Sequence, residues 1–209
     1  MVDKDRDMTM HGLFPTPVGL YDLEPLTEEQ HSWIASQPTK SNKHNRISAD
    51  KNVLDKEIMA PIRSQIETFL LQYFREAVTE SNSAGLKITQ SWCNYTGFNQ
   101  SHHKHHHPNS VVSGVYYPQT TAEDKIYFYN SRLDREALSV ETPTYTQFNS
   151  KTWWLPTPKD RLVLFPSSLE HSVNPRTETD VPDRISLSFN TFFTGEIGQI
   201  DDATHLVLP

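Results

Sequence analysis

Two spacings of apolar residues divide this chain. Ile58, Ile62, Ile66, Phe69, Leu70, Tyr73 and Phe74 recur three or four positions apart. That period predicts an amphipathic helix over residues 55–79, with Pro61 in its first turn and the segment from Ser81 to Gly85 ending it. Upstream, Thr27-Glu28-Glu29-Gln30 is a capping box ahead of Trp33 and Ile34 and predicts a short helix. Residues 13–21 read as an edge strand, since Pro15 and Pro17 cannot donate hydrogen bonds inside a sheet. Residues 1–12 read as a loose tail, and the polar stretch 38–52 as a loop. From Leu86 onward the apolar runs are short, rich in β-branched and aromatic residues, and separated by Pro, Asn, Ser and Gly. They predict strands over 87–95, 111–118, 125–129, 144–149, 161–165, 170–173 and 184–193. Helices first and many short strands afterwards predict an α+β domain: N-terminal helices packed on one sheet of an antiparallel sandwich or jelly roll.

Length and charge narrow the classes. The 209 residues suffice for one well-buried domain, residues 13–209, and neither a repeat nor a low-complexity linker marks a second. A net charge of −7 argues against a protein whose main task is to coat nucleic acid, which needs a basic face. Cys93 is the single cysteine, so the chain has no internal disulfide and no cysteine-based zinc site, which fits a reducing compartment. The opening MVDKDRDMTMH lacks the apolar core of a secretory signal, and no run approaches the eighteen apolar residues of a membrane span. The expectation is a soluble cytoplasmic protein with no membrane partner. A homodimer is the commonest oligomer such a chain forms.

The chemistry concentrates in SHHKHHHPNSVVSGVYY, residues 101–117, which holds five of the ten histidines. Its mid-chain position and the interruption at Lys104 set it apart from a purification tag. On a strand, side chains two apart project from one face, so a His-x-His pair can converge on a metal. His105 and His107 form such a pair, and His103 and His105 another. The first is favoured because Pro108 and Asn109 follow at once and turn the chain into the next strand. A solvated polar tract is the bland alternative. An isolated histidine, His171, follows the apolar strand 161–165 and the turn at Pro166-Ser167-Ser168. Thirteen residues later the run from Arg184 to Phe193 alternates cleanly, with Ile185, Leu187 and Phe189 on one face and Arg184, Ser186, Ser188 and Asn190 on the other. Such a polar face is either half-exposed or lines a cavity. In a cavity, Arg184 and Ser186 would aim a guanidinium fork and a hydroxyl at one carboxylate.

A His-x-His pair, a distal His and an Arg-x-Ser resemble the iron(II)- and 2-oxoglutarate-dependent oxygenases. More closely, the chain resembles a group of such oxygenases found in phages and marine bacteria. The likeness spans residues 13–193: LFPTPV, Trp92 and Asn94 in W-x-N, the block from His105 to Tyr117, Phe128-Tyr129 with Arg132, the block from Leu164 to Val173, and RISLSFN from Arg184. The resemblance implies a double-stranded β-helix, a cupin-like jelly roll. It implies iron(II) held by His105, His107 and His171, and a dioxygenase, in most cases a hydroxylase, that turns 2-oxoglutarate and O₂ to the oxidation of a substrate. It assigns Arg184 and Ser186 to the distal carboxylate of 2-oxoglutarate, with Asn94 and Tyr116 or Tyr117 assisting. A phage-encoded member would work in the host cytoplasm. One departure from the family pattern stands out. His107 occupies the place of the usual ligand carboxylate, and no Asp or Glu occurs between Glu80 and Glu123. Either the triad is three histidines, or a carboxylate arrives from elsewhere, with Asp183 a possible donor and Glu170 directed to the opposite face from His171. His102, His103 and His106 are then expected to be solvated or at the site mouth. Trp153 and Trp154 are by default one core and one surface residue, and with Leu155 they could instead shape a lid or substrate wall. Two other readings stand beside this one: a non-catalytic metal-binding jelly roll, structural or part of a phage particle, and a three-histidine cupin-like enzyme that does not use 2-oxoglutarate.

Overall fold

A computed structural model describes residues 11–130, 141, 143–179, 181–199 and 201–208. The predicted tail falls mostly outside the described residues, and Arg132 falls outside them altogether. Helix α1 (Glu28–Ala35) opens on the expected capping box. The Thr27 hydroxyl accepts from the Gln30 amide at 3.2 Å, and the Gln30 side chain accepts from the Thr27 amide at 2.9 Å. Helix α2 (Ala60–Tyr73) carries Pro61 in its first turn, where a missing N–H costs nothing, and buries Ile62, Ile66, Leu70 and Tyr73 along one face. The helical pattern over 55–79 thus resolves into a shorter α-helix. Two 3₁₀ turns (Val53–Asp55 and Glu57–Met59) precede it and a π turn (Phe74–Val78) follows.

Among the described residues twelve strands make two sheets, antiparallel at every pairing between named strands. They are β1 (Gly19–Asp22), β2 (Thr39–Ser41), β3 (Arg46–Ser48), β4 (Ala84–Thr96), β5 (His102–His105), β6 (Val112–Gln119), β7 (Lys125–Tyr129), β8 (Thr152–Pro156), β9 (Arg161–Pro166), β10 (His171–Val173), β11 (Arg184–Ile197) and β12 (Thr204–Leu206). The larger sheet has the order β1-β9-β6-β11-β4-β3-β2, with β12 also on β11; the smaller is β5-β10-β7-β8. The edge strand expected over 13–21 is confined to β1, at an edge of the larger sheet and beyond Pro15 and Pro17, which lie outside it.

Strand alternation explains where the cores lie. On the helix side of the larger sheet, Val112, Tyr116, Leu162, Leu164, Ile185, Leu187 and Phe189 join Ile62, Ile66 and Leu70 in one cluster. The intervening residues Val115, Tyr117, Val163 and Phe165 join Ile126 and Phe128 in a second. Gly114 is required by the first: a Cβ there would lie 2.1 Å from Cζ of Phe189. Among the described residues no helix is long and apolar enough to cross a membrane.

Three expectations are corrected. The polar stretch 38–52 contains the hairpin β2–β3 rather than a loop. Its inner strand β3 is held by backbone pairing to β4 and by the buried Ser48 hydroxyl, which accepts from the Cys93 amide at 3.0 Å, and among the described residues β2 pairs only with β3, so no apolar alternation marks them. Residues 144–149 are not a strand. Asn149 accepts from the Thr146 amide at 2.7 Å and the Thr146 hydroxyl from the Phe148 amide at 3.2 Å, so side chains satisfy the backbone locally and the strand begins at Thr152. The predicted last strand runs to Ile197 and is followed by β12, which the sequence pattern did not show.

Candidate metal centre

The smaller sheet brings the distal histidine to the histidine tract. His171 on β10 is the register partner of His105 on β5, and their rings lie 4.3 Å apart between centroids. His107 stands two residues beyond the end of β5 rather than on it. Its amide donates to the Ser167 carbonyl at 2.9 Å, which ties it to the turn after β9, and Asn109 at φ 59° then reverses the chain. The His107 ring is 5.0 Å from His105 and 5.1 Å from His171. One ligand atom from each of the three imidazoles lies within 4.8 Å of the others. The tract therefore converges through a strand, a turn and a cross-strand partner, with His105–His107 as the operative pair.

Protonation state and tautomer suit a metal. Nδ1 of His105 is 2.7 Å from the His103 carbonyl, and Nδ1 of His171 is 3.0 Å from that of Leu169. A carbonyl only accepts, so both rings carry the proton on Nδ1 and leave the Nε2 lone pair free for a metal. Burial holds the His107 imidazole down to about 4, with His105 as a secondary cause. Burial likewise lowers His105, and places His171 well below the ordinary range. Neutral imidazole is the ligating form. Three convergent neutral donors on one side of a site fit a divalent transition ion and leave its other positions open.

No carboxylate joins the three histidines among the described residues. Asp183, the candidate donor, pairs instead with Arg46 at 2.8 Å, and Glu170 pairs with Lys104 at 2.7 Å.

The polar face of β11 closes the other side of the pocket. Arg184, Ser186 and Ser188 line it together with the three histidines, Asn94 and Tyr117. Arg184 is 2% exposed; its Nη1 donates to Asp124 at 3.3 Å and its Nη2 to the Thr96 hydroxyl at 3.2 Å. Its Nε is buried with no hydrogen-bond partner among the described residues. Burial pulls the guanidinium down from its ordinary value and Asp124 pulls it back up, while an arginine stays charged in a protein. The Asn94 side chain donates to the Ser188 hydroxyl at 2.9 Å and lies 3.4 Å from that of Ser186, and it accepts from the Trp92 indole at 3.2 Å. Tyr117 is buried in the pocket wall, and burial raises its phenol. Tyr116 faces the other core and donates to Asp160 at 3.0 Å, so of the two tyrosines only Tyr117 reaches the site.

Sequence reasoning missed two residues here. Asp124, paired with Arg184, is 5% exposed. Its signal was the turn chemistry of Thr121-Ala122-Glu123-Asp124, in which Asp124 accepts from the Thr121 amide at 2.8 Å. His102 was expected, with His103 and His106, to be solvated or at the site mouth. It is a pocket-lining residue, its ring stacked on His105 at 4.4 Å and 11°, and burial followed by the nearby His105 holds it down to about 3. His106 is exposed, as expected.

Fold and site together bring three convergent imidazoles and a buried guanidinium into one pocket between two β-sheets. Residues 90–190, which hold all of these groups, match the model of the family described as "Putative 2OG-Fe(II) oxygenase". Solved structures share the fold. An oxidoreductase of the 2OG-Fe(II) oxygenase family from Burkholderia pseudomallei aligns at TM-score 0.55 and 9% identity over 78% of this chain and 75% of its own. HygX from Streptomyces hygroscopicus, solved with nickel, 2-oxoglutarate and hygromycin B, aligns at TM-score 0.55 and 12% identity over 84% and 82%. A prolyl-4-hydroxylase from Pseudomonas putida aligns at TM-score 0.54 and 11% identity over 84% and 92%. A search of curated proteins finds no match to the chain.

Proposed function

We propose that this chain is an iron(II)- and 2-oxoglutarate-dependent dioxygenase, a hydroxylase in reaction type, built as one domain over residues 13–209 on a double-stranded β-helix. The observation that carries this reading is the shared pocket: three neutral imidazoles at one end, and at the other a buried arginine with an unpartnered Nε. A purely structural metal site has no use for that arginine. His105, His107 and His171 would hold the iron and leave three positions open. Arg184 and Ser186 would take the far carboxylate of 2-oxoglutarate, and Asn94 and Tyr117 would shape the space between. When bound, iron and 2-oxoglutarate supply the oxidative decarboxylation of 2-oxoglutarate to succinate and CO₂, coupled to insertion of the second oxygen atom of O₂ into a substrate C–H bond.

The chain's own contribution is placement. Carbonyls of Leu169 and His103 fix the tautomers of two ligands. Phe165, 4.7 Å from the His171 ring, and Phe128, 6.4 Å from it, keep water from the inner side. Asp124 and Thr96 fix the plane of the Arg184 guanidinium. The likeness to HygX and to the prolyl hydroxylase supports the fold of this reading and leaves the substrate unnamed. Cytoplasmic location follows from the reducing compartment that a single buried thiol suits.

Anaerobic addition of iron(II) and then 2-oxoglutarate to metal-free protein tests the proposal without a substrate. A weak visible charge-transfer band should form only with both, vanish in His171→Ala, and need far more 2-oxoglutarate in Arg184→Ala. Iron binding that 2-oxoglutarate leaves unchanged would overturn it.

A further inference from the structure

His102 lines the same pocket as the three histidines and Arg184. Arg184 is the register partner of Thr96, the last residue of β4. The chain then turns through residues 97–101 and opens β5 at His102, and β5 runs on to His105 at the metal end. Regular alternation would send residues 102 and 105 to opposite faces. It is broken here. His171 pairs with His105 but Val173 pairs with His102, so three steps on β5 match two on β10. This bulge turns both imidazoles to the pocket side, as bulges beside active sites re-aim side chains. The His102 ring lies nearly flat on His105. A flat stack leaves the ring edges, and with them both nitrogens, clear of the neighbouring ring.

His105 and His171 each spend a ring nitrogen on a backbone carbonyl, whereas His102 has no hydrogen bond to its ring among the described residues. Either tautomer of His102 offers one N–H. At the other end of the same pocket the Nε–H of Arg184 is also unpartnered. The Arg184 Nε–H is withdrawn from water without an acceptor, which costs stability, and half-buried His102 offers a second unpartnered donor in the same pocket, so the pair marks a place for an acceptor supplied from outside.

We infer that His102 is a further cosubstrate-binding residue, donating a hydrogen bond to a carboxylate of 2-oxoglutarate in the space between the metal triad and Arg184. The inference rests on the proposed function. It makes the site one of four histidines with divided tasks, three for the metal and one for the cosubstrate. It also answers the missing ligand carboxylate. With a neutral triad, the charge that balances a divalent ion comes from dianionic 2-oxoglutarate, so a second donor to that dianion also helps retain the metal, and by linkage the metal helps retain it.

The test is calorimetric titration of 2-oxoglutarate into the full chain loaded anaerobically with iron(II), with metal affinity measured separately. His102→Phe keeps a flat ring on His105 and removes the donor; His102→Gln keeps a donor and removes the ring. His102→Phe should weaken 2-oxoglutarate binding roughly tenfold or more, the worth of a hydrogen bond to a charged group, with iron affinity in the absence of 2-oxoglutarate unchanged. His102→Gln should recover most of the loss. Unaltered 2-oxoglutarate binding in His102→Phe would overturn the inference, and so would a parallel loss of iron, which would make the ring only a support for His105. If the thermal midpoint shows that His102→Phe is poorly folded, His102→Gln decides: near-normal 2-oxoglutarate binding supports the donor, and a loss as large as that of Arg184→Ala counts against it. Failure of the unsubstituted iron-loaded chain to bind 2-oxoglutarate would sink the proposed function itself, a result distinct from an indifferent His102 variant.

Discussion

The two sheets divide the work unequally. The larger is covered by α1 and α2 on one face and by the smaller sheet on the other, and its central strand β11 is fourteen residues long. The smaller has strands of three to five residues, and its edge strand β8 leaves Trp153 and Trp154 45% and 49% exposed. Yet two of the three proposed metal ligands, His105 and His171, sit on the smaller sheet, while Arg184, Ser186 and Asn94 sit on the larger. Metal chemistry is thus placed where the fold has least to lose. The proposed cosubstrate side is fused to the core, because the residues alternating with Arg184 and Ser186 on β11 are Ile185, Leu187 and Phe189.

Substitutions should separate the two halves. Phe189→Ala, at a fully buried ring, should cost about 3–5 kcal/mol in urea unfolding. Asp124→Ala, which strands the buried Arg184 charge, should cost about 3 kcal/mol by the same measurement and so couple the cosubstrate side to folding. His171→Ala should abolish tight iron binding while the metal-free protein unfolds at nearly the same urea concentration; a collapse of the metal-free fold would erase the distinction drawn between the sheets. Metal-free protein should also be sensitive to acid in a particular window. The unfolded chain takes up protons on these histidines near pH 6.5, while the folded chain resists until about pH 4 at His107. Because the unfolded state binds more protons, stability is full above about pH 6.5 and falls as the pH drops towards 4. Urea midpoints that stay level from pH 7 to pH 5 would mean that the rings are hydrated. The smallest effect belongs to Glu170→Ala at the half-exposed pair with Lys104, worth at most about 1 kcal/mol, with iron affinity unchanged.

The sequence was most legible where periodicity and burial agree. The α1 capping box, the apolar face of α2 and the alternation of β11 all rest on side chains whose placement follows from spacing alone. His105, His171 and Arg184 face the pocket from strands, whereas His107 lies beyond the end of β5 and is brought there by a turn that strand spacing does not describe. What escaped depended on partners distant in sequence. The β2–β3 hairpin is held by backbone pairing to β4, and nothing in its polar composition announces that. His102 escaped because a bulge shifts the alternation by one residue, and only pairing with β10 reveals the shift. Asp124 reads as a turn cap until Arg184, sixty residues later, is seen against it.

The position of β11 has a consequence for exchange. Its amides from Ile185 to Asn190 lie between β4 and β6, so hydrogen–deuterium exchange there should require global unfolding. Strands β5 and β10 make few ladder bonds and can open on their own. Iron taken up through opening of the proposed ligand strands would then meet an arginine end already formed, a template on which the metal half closes.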